Sequence, residues 1–205
     1  IFLGGGGGAG HQTENEGTAG AAGGGIIIIK ANRIQGGNRH SAANGANALI
    51  ALKGGGGGGG AGGTVLLDVQ QYTSSTTIEA KGGNGGSNDG SWTGTCFAPG
   101  GGGGGGAILS SVAIPGNALK SVNGGAAGSI LHTFSPCFNT TYGATDGAAG
   151  VIKSAYSIPE SNIPFSPVVI GNVLGADTAI CAGDSLVINL PQGYNYVWQN
   201  GDTSN

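Results

Sequence analysis

The stretch GGGGGGGAGGTVLLDV, residues 54–69, decides the fold of this chain, because a run of glycines leads directly into a short apolar strand pattern. The pairing recurs as GGGIIIIKAN at residues 23–32 and GGGAILSSV at residues 104–112. The three apolar segments begin at Ile26, Thr64 and Ala107. Their starts lie 38 and 43 residues apart, and a unit recurring at this spacing indicates a repeat architecture.

Composition separates this chain from ordinary globular and disordered proteins. Glycine supplies 48 of 205 residues and charged residues only 8%, against about 25% charged in a typical domain. Disorder is not expected, because 38% of residues are apolar and the β-branched ones cluster in short blocks. Collagen is excluded because glycine occurs in runs and not at every third position.

The net charge of -3, with seven Lys and Arg, argues against a nucleic-acid partner, which would need a clustered basic face. No apolar stretch approaches the roughly 18 residues of a membrane span, so we expect none in this segment. Neither an initiator Met nor a basic region before an apolar stretch is present. We therefore expect the numbering to begin inside a mature or longer protein.

Aligned on their strand starts, the units place equivalent residues in shared columns. One face holds Ile27, Val65 and Ile108, then Ile29, Leu67 and Ser110, then Ala31, Val69 and Val112. The alternate face holds Ile28, Leu66 and Leu109, then Lys30, Asp68 and Ser111. The first face is predicted to be buried, and Lys30 to lie beside Asp68 as a surface pair. The apolar start of the second face predicts cover on both sides, which we expect the glycine-rich sequence to supply.

A second short strand is predicted in each unit, at residues 40–43, 77–81 and 118–122, with Ala42, Ala80 and Ser121 in register. Stacking such units in parallel makes a β-helix or related solenoid. An antiparallel meander is the main rival. Equivalent segments that recur in one direction with long connections favour the parallel form.

The glycine runs at residues 54–60 and 100–106 are predicted to be ordered. Glycine costs about 0.5 to 1 kcal/mol more than Ala to fix in a regular element, so ordered runs need a specific gain. Without Cβ atoms they can pack as extended threefold helices of the polyproline II kind, here termed polyglycine II. A flexible low-complexity loop is the alternative. Both runs lead into strands, which favours order.

Three cysteines, Cys96, Cys137 and Cys181, are too few and too widely spaced for a zinc cluster. We predict a disulfide between Cys96 and Cys137, with two free thiols as the alternative. It would close a loop of about 40 residues and contribute roughly 3 to 4 kcal/mol. It also indicates an oxidising, extracytoplasmic setting. Cys181 is expected to have its partner beyond Asn205.

Three regions follow along the chain. Residues 1–157 form the glycine-rich, β-helix-like domain, whose aromatic segment after Ser129 is expected to cap the open end of the repeats. Residues 158–168 form a Pro-rich linker. Residues 169–205 alternate as sandwich strands do, and Cys181 is followed by Trp198. This last region is predicted to be the N-terminal part of an immunoglobulin-like β-sandwich. The predicted fold class is therefore all-β.

A motif near the end of the chain adds a resemblance. Its residues are Cys181, Gly183, Asp184, Ser185, Tyr196, Trp198, Gly201 and Asp202. This pattern resembles the immunoglobulin-like or PKD-like repeats of large adhesins that gliding bacteria secrete by the type IX system. The glycine-rich repeats are similar to β-helix regions that precede such modules.

The resemblance implies a very long, secreted cell-surface or filament protein with a role in adhesion. Its partners would be the type IX machinery and other protein chains or surface glycans. Thr178 and Ser185 also resemble the Asp-Ser/Thr-apolar O-glycosylation signal of these bacteria. Asn139 fits an N-glycosylation acceptor, which a bacterial origin would leave unused.

Enzyme chemistry is not expected. The G-x-G-x-x-G matches are trivial in polyglycine, and neither a helical pattern nor a Walker lysine follows them. Glycoside hydrolysis needs two opposed carboxylates, and the candidates do not cluster in sequence. They are Asp68, Glu79, Asp89 and Asp146. We predict no catalytic residue and no cofactor.

Metal binding is not expected either. His11, His40 and His132 lie far apart in sequence and are expected to be solvated or turn residues. The nonapeptide calcium repeat is absent. Trp92 is either a carbohydrate-stacking residue or packs beside Cys96. A glycan- or receptor-recognition head, with residues 87–99 as its contact loop, is the second hypothesis for function, and a glycan-active β-helix enzyme is the third.

Overall fold

A computed structural model describes residues 1–12, 16–90, 94–157 and Gly183. The chain divides into two units, Ile1–Pro159 and Glu160–Asn205. The described strands all lie in the first unit, and the described residues contain no helix. Apart from Gly183, the linker and the immunoglobulin-like segment predicted from the sequence lie outside the described residues.

Two kinds of strand alternate along the first unit. The long series comprises β1 (Ile26–Ile34), β3 (Thr64–Tyr72), β5 (Ala107–Ser110) and β7 (Val151–Lys153). The short series comprises β2 (His40–Ala42), β4 (Thr77–Glu79) and β6 (Leu119–Ser121). They form two sheets, ordered β1-β3-β5-β7 and β2-β4-β6, in which every described pair is parallel. This all-β, parallel arrangement is compatible with a β-solenoid, and the antiparallel meander does not form among the described strands.

The register of the long strands agrees with the columns read from the sequence. Val65 pairs with Ile27 on one side and with Ile108 on the other. Lys30 pairs with Asp68, and the Lys30 Nζ atom lies 3.3 Å from an Asp68 carboxylate oxygen. The repeat continues one strand further than the sequence predicted, because β7 adds to β5 within the segment expected to be only a cap.

The register predicted for the short strands was wrong by one residue in the second unit. Glu79, not Ala80, pairs with Ala42 and Ser121. The turn between long and short strand has five residues in the first unit, 35–39, and four in the second, 73–76. An alignment anchored on the long strands therefore drifts when it reaches the short ones.

The apolar core lies between the two sheets. Val65, Leu67 and Ile108 from the long sheet pack in one cluster with Ile78 of β4 and Ala80 just after it. These five side chains are almost fully buried. The short sheet, and not the glycine-rich sequence as expected, therefore covers this face of the long sheet. The opposite face carries a smaller cluster of Leu66, Ala107 and Leu109.

The glycine-rich runs extend beyond the strand ends and bond to one another. In the run at residues 54–63, N–H groups that lie three residues apart donate to the same neighbouring segment. Gly55, Gly58 and Ala61 donate to the carbonyls of His11, Gly8 and Gly5. Gly56, Gly59 and Gly62 donate to the carbonyls of Ala98, Gly101 and Gly104, and Gly60 and Gly63 to those of Ala46 and Ala43. The run is thus hydrogen-bonded to three other segments through its N–H groups alone.

Backbone contact between the runs explains why they consist of glycine. A Cβ atom on Gly60 would collide with the carbonyl of Ala22, and one on Gly63 with the carbonyl of Gly25. Neighbouring runs therefore approach more closely than side chains allow. The first unit has two parts, a β part with a side-chain core and a glycine-rich part held by backbone contacts.

Candidate contact surface

The connections that precede the glycine runs lie side by side at one end of the repeats. The described parts of these connections are residues 49–53, residues 87–90 with 94–99, and residues 130–143. Parallel bridges join Ala51 to Asn88 and Asn88 to Ile130. The second connection is therefore held between the first and the third, and the loop predicted as a contact site lies in the middle of this surface.

Asn88 anchors the three connections. Its side chain is almost fully buried and donates a hydrogen bond to the carbonyl of Gly54, while its Oδ1 accepts one from the Gly90 N–H at 3.0 Å. Gly54 has a φ of 73°, a conformation that favours glycine. Sequence reasoning missed Asn88, because a single Asn in a glycine-rich turn is indistinguishable from an exposed one.

A disulfide joins Cys96 to Cys137, with Cα atoms 5.9 Å apart. The bond links the second connection to the third across 41 residues of chain. It therefore fixes the outer part of this surface, where Asn88 fixes the inner part. Cys181 lies outside the described residues.

Among the described residues, seven of the sixteen exposed large apolar side chains lie in the first and third connections, and the others lie in residues 1–3, on β1, β6 and β7 and at Tyr156. Phe134 is 77% exposed and Leu49 is 75% exposed. We call the set the connection patch, and it comprises Leu49, Ile50, Leu52, Leu131, Phe134, Phe138 and Tyr142. Single exposed apolar residues are ordinary, whereas a concentration of them marks an interaction site. Trp92, which the sequence left open between a ligand contact and packing beside Cys96, and the glycosylation candidates Thr178 and Ser185 lie outside the described residues.

A cavity of about 550 Å³ opens beside this end of the repeats. Its walls are residues 8–11 of the N-terminal segment, the start of the 54–63 run, residues 96–101 and Tyr142. Most of these residues are glycine or alanine, so backbone atoms form much of the lining.

The three histidines have different neighbours. The Nε2 atom of His40 is 3.0 Å from a carboxylate oxygen of Glu79, and the Nδ1 atom of His132 is 3.9 Å from one of Asp89. His11 lines the cavity. Within the part of the chain that the structure describes, His, Cys, Asp and Glu form no group of three or more able to hold a metal ion.

The candidate carboxylates lie in separate ion pairs and hydrogen bonds. Asp68, on β3, pairs with Lys30, whereas Glu79, on β4, has Asn44, Lys81 and His40 around its carboxylate. Burial alone would raise the pKa of Glu79, but the hydrogen bonds together lower it below the usual value. The two carboxylates belong to different sheets and make contacts that support structure.

Asp146 bonds to a backbone group outside the three connections. Its Oδ1 atom accepts a hydrogen bond of 2.7 Å from the Ala127 N–H.

Among the described residues, no helix is long and apolar enough to cross a membrane.

No protein-family model, no curated protein and no solved structure matches the chain. Function is therefore inferred from the connection patch, the disulfide and the packing of the glycine runs.

Proposed function

We propose that this chain is an extracellular structural and adhesive module of a large bacterial cell-surface or filament protein, exported by a type IX-like system. The observation that carries the proposal is the ordered bonding of the glycine runs up to an end that is apolar and closed by a disulfide. The glycine-rich part is rigid, and the connection patch is its contact surface.

The period-three hydrogen bonding supports a polyglycine II-like bundle within a parallel β-helix. A threefold extended helix has three residues per turn, so N–H groups three residues apart point in one direction. Residues 54–63 show this pattern toward three neighbours. In this account the bundle is a stiff spacer, and the predicted immunoglobulin-like segment at residues 169–205 continues the module.

The extracellular location rests on the disulfide and on the composition. Disulfides persist in oxidising compartments, and the Cys96–Cys137 bond joins two exposed connections. A chain with 8% charged residues has little electrostatic repulsion to keep it from other chains, glycans or solid surfaces.

Adhesion through the connection patch can be tested with the purified chain on beads. The double variant Phe134→Ser, Phe138→Ser removes two exposed rings, and we expect it to retain at most about a tenth of the wild-type binding to apolar and glycan-coated surfaces. Leu119→Ser is the matched control, because Leu119 is 69% exposed and belongs to β6 and not to any of the three connections. Equal binding by wild type and double variant would contradict adhesion through this patch.

A glycan- or receptor-recognition head is the second candidate. The disulfide favours it, because it fixes Cys96, in the described part of this loop, to Cys137 of the third connection, as a specificity loop requires. In this case binding would select one glycan from an array and would be lost in Trp92→Ala. Adhesion that is unselective and survives Trp92→Ala would favour the structural module.

A further inference from the structure

The hydrogen-bond pattern of the glycine runs has a gap on the side away from the short sheet. The carbonyls of Gly55 and Gly58 accept from the run at residues 16–25, and those of Gly57 and Gly60 accept from residues 83–86. The third set of carbonyls has no donor among the described residues, and it comprises Gly56, Gly59 and Gly62.

The run at residues 98–106 has a matching gap. Its N–H groups at Gly100 and Gly103 donate to residues 80–86, and those at Gly102 and Gly105 donate to residues 145–148. The N–H groups of Gly101 and Gly104 have no acceptor among the described residues. Donors and acceptors are therefore free on adjacent runs, each at a period of three.

The two gaps face the same groove. Around residues 54–63, the carbonyl directions alternate with the N–H directions, as threefold helices require. The free carbonyl direction lies between the N-terminal segment and the 98–106 run. The cavity is found at this place, with residues 8–11, Gly56 and Gly101 in its walls.

The N-terminal segment shows what fits such a groove. Gly4, Gly7 and Gly10 donate to the carbonyls of Gly24, Ala21 and Thr18 of the first run. The carbonyls of Gly5, Gly8 and His11 accept from Ala61, Gly58 and Gly55 of the second. The strand pairing offsets the first run (16–25) from the second (54–63) by 38 residues, and the second from the third (98–106) by 43. The acceptors Gly24, Ala21 and Thr18 therefore correspond to Gly62, Gly59 and Gly56 of the second run. The donors Ala61, Gly58 and Gly55 correspond to Gly104, Gly101 and Ala98 of the third run. The unpaired atoms are thus the equivalents, one repeat further, of atoms that already bind a glycine-rich segment.

We propose that this groove, between the second and third glycine runs, binds a glycine-rich segment of another polypeptide as an extended threefold helix antiparallel to the runs. The segment donates to Gly56, Gly59 and Gly62 and accepts from Gly101 and Gly104. It carries glycine where it faces the runs, because Cβ atoms on Gly4, Gly7 and Gly10 would collide with the carbonyls of Ala61, Gly58 and Gly55. The site exists whether or not the module is an adhesin, so its test is independent of the bead assay.

The probe is a lysine-flanked peptide with the sequence of residues 4–10, GGGGGAG. One control peptide has valine at the positions of Gly4, Gly7 and Gly10, where a side chain collides. The other has valine at those of Gly5 and Gly8, where a Cβ atom would meet nothing within 4 Å. Titration of the full chain, followed by amide NMR, is expected to show binding of the probe and of the second control, and binding at least about tenfold weaker for the first control.

Amide exchange locates the peptide. In the free protein we expect Gly101 and Gly104 to exchange at least about 100-fold faster than Gly100 and Gly103, and to become protected when the probe is added. Gly58→Val is expected to weaken probe binding, because Gly58 lines the cavity and the valine would occupy part of the groove. The variant is expected to fold, because the Cβ atom would have only ordinary contacts, at 3.4 Å and longer. Gly25→Val, with nothing within 4 Å of its Cβ position, is the matched variant that keeps probe binding.

Four results would overturn the proposal. They are no probe binding at millimolar concentration, equal binding of both valine peptides, unchanged affinity in Gly58→Val, and protection of Gly101 and Gly104 without peptide. The last result would mean that the chain's own residues fill the groove.

Discussion

Individual glycines in one run have opposite tolerance for a side chain. A Cβ atom on Gly58 would have its nearest contact at 3.4 Å, whereas one on Gly60 would collide with the Ala22 carbonyl. We expect Gly58→Ala to raise the free energy of unfolding by about 0.4 to 1 kcal/mol, because it restricts the unfolded chain. Gly60→Ala is expected to lower it by about 1 to 3 kcal/mol. Denaturant unfolding of the two variants checks this, and equal effects would show that the run is not packed as described.

Glu79 links stability to pH. Its lowered pKa in the folded state means that its contribution is present above the ordinary Glu value of about 4.3 and is lost as pH falls through the folded value. Between about pH 5 and pH 3, we expect the free energy of unfolding to fall less steeply in Glu79→Gln than in wild type. Urea unfolding across this range tests it, with Glu16→Gln, from the more exposed pair with Lys53, as the control. Parallel curves for Glu79→Gln and wild type would count against the hydrogen bonds to Glu79.

Asn88 is the polar residue on which the connections depend. Asn88→Ala leaves the Gly54 carbonyl and the Gly90 N–H without partners, and we expect it to lower the free energy of unfolding by about 2 to 4 kcal/mol. Asn84→Ala is the matched change, because the Asn84 side chain accepts from the Ala126 N–H at an exposed site. Its expected cost is about 1 kcal/mol or less. Similar costs for the two variants would contradict the anchoring role of Asn88.

The disulfide determines stability at the level of the connections. It closes a loop of 41 residues, for which chain entropy gives a stabilisation of roughly 4 kcal/mol. We expect reductant to lower the unfolding midpoint of the wild-type chain and to leave a Cys96→Ser, Cys137→Ser variant unaffected. The double variant should melt like the reduced wild type. A midpoint that does not respond to reductant would show that the bond adds nothing to folding.

At the level of elements, the sequence predicted the long strands better than their surroundings. Repeated apolar columns gave the starts of β1, β3 and β5 and their parallel register, because alternation and unit spacing are both visible in the residues. β7, with the sequence VIK, was missed because GAAG, and not a glycine run, precedes it. The short-strand register was displaced by turns of unequal length. The connection patch could not be predicted, because it has no sequence motif and the sequence does not distinguish an exposed phenylalanine in a loop from a buried one.

For the molecule as a whole, backbone hydrogen bonds replace side-chain packing over much of the first unit. The β part has a core of ordinary apolar residues, whereas the glycine-rich part has almost no side chains to bury. The second part can be stable only if its N–H groups are paired, because ordering glycine is costly. The proposed rigid spacer therefore depends on one property, the period-three pairing of the glycine runs.

Site-resolved amide hydrogen exchange of the full chain across residues 55–63 tests this property most directly. We predict that the amides of these residues are all protected, at rates like those of β3, because each donates to a neighbouring segment or to the Thr18 hydroxyl. Exchange at unfolded-chain rates throughout the run, beside a protected β3, would contradict the account and leave the glycines as a flexible linker between strands.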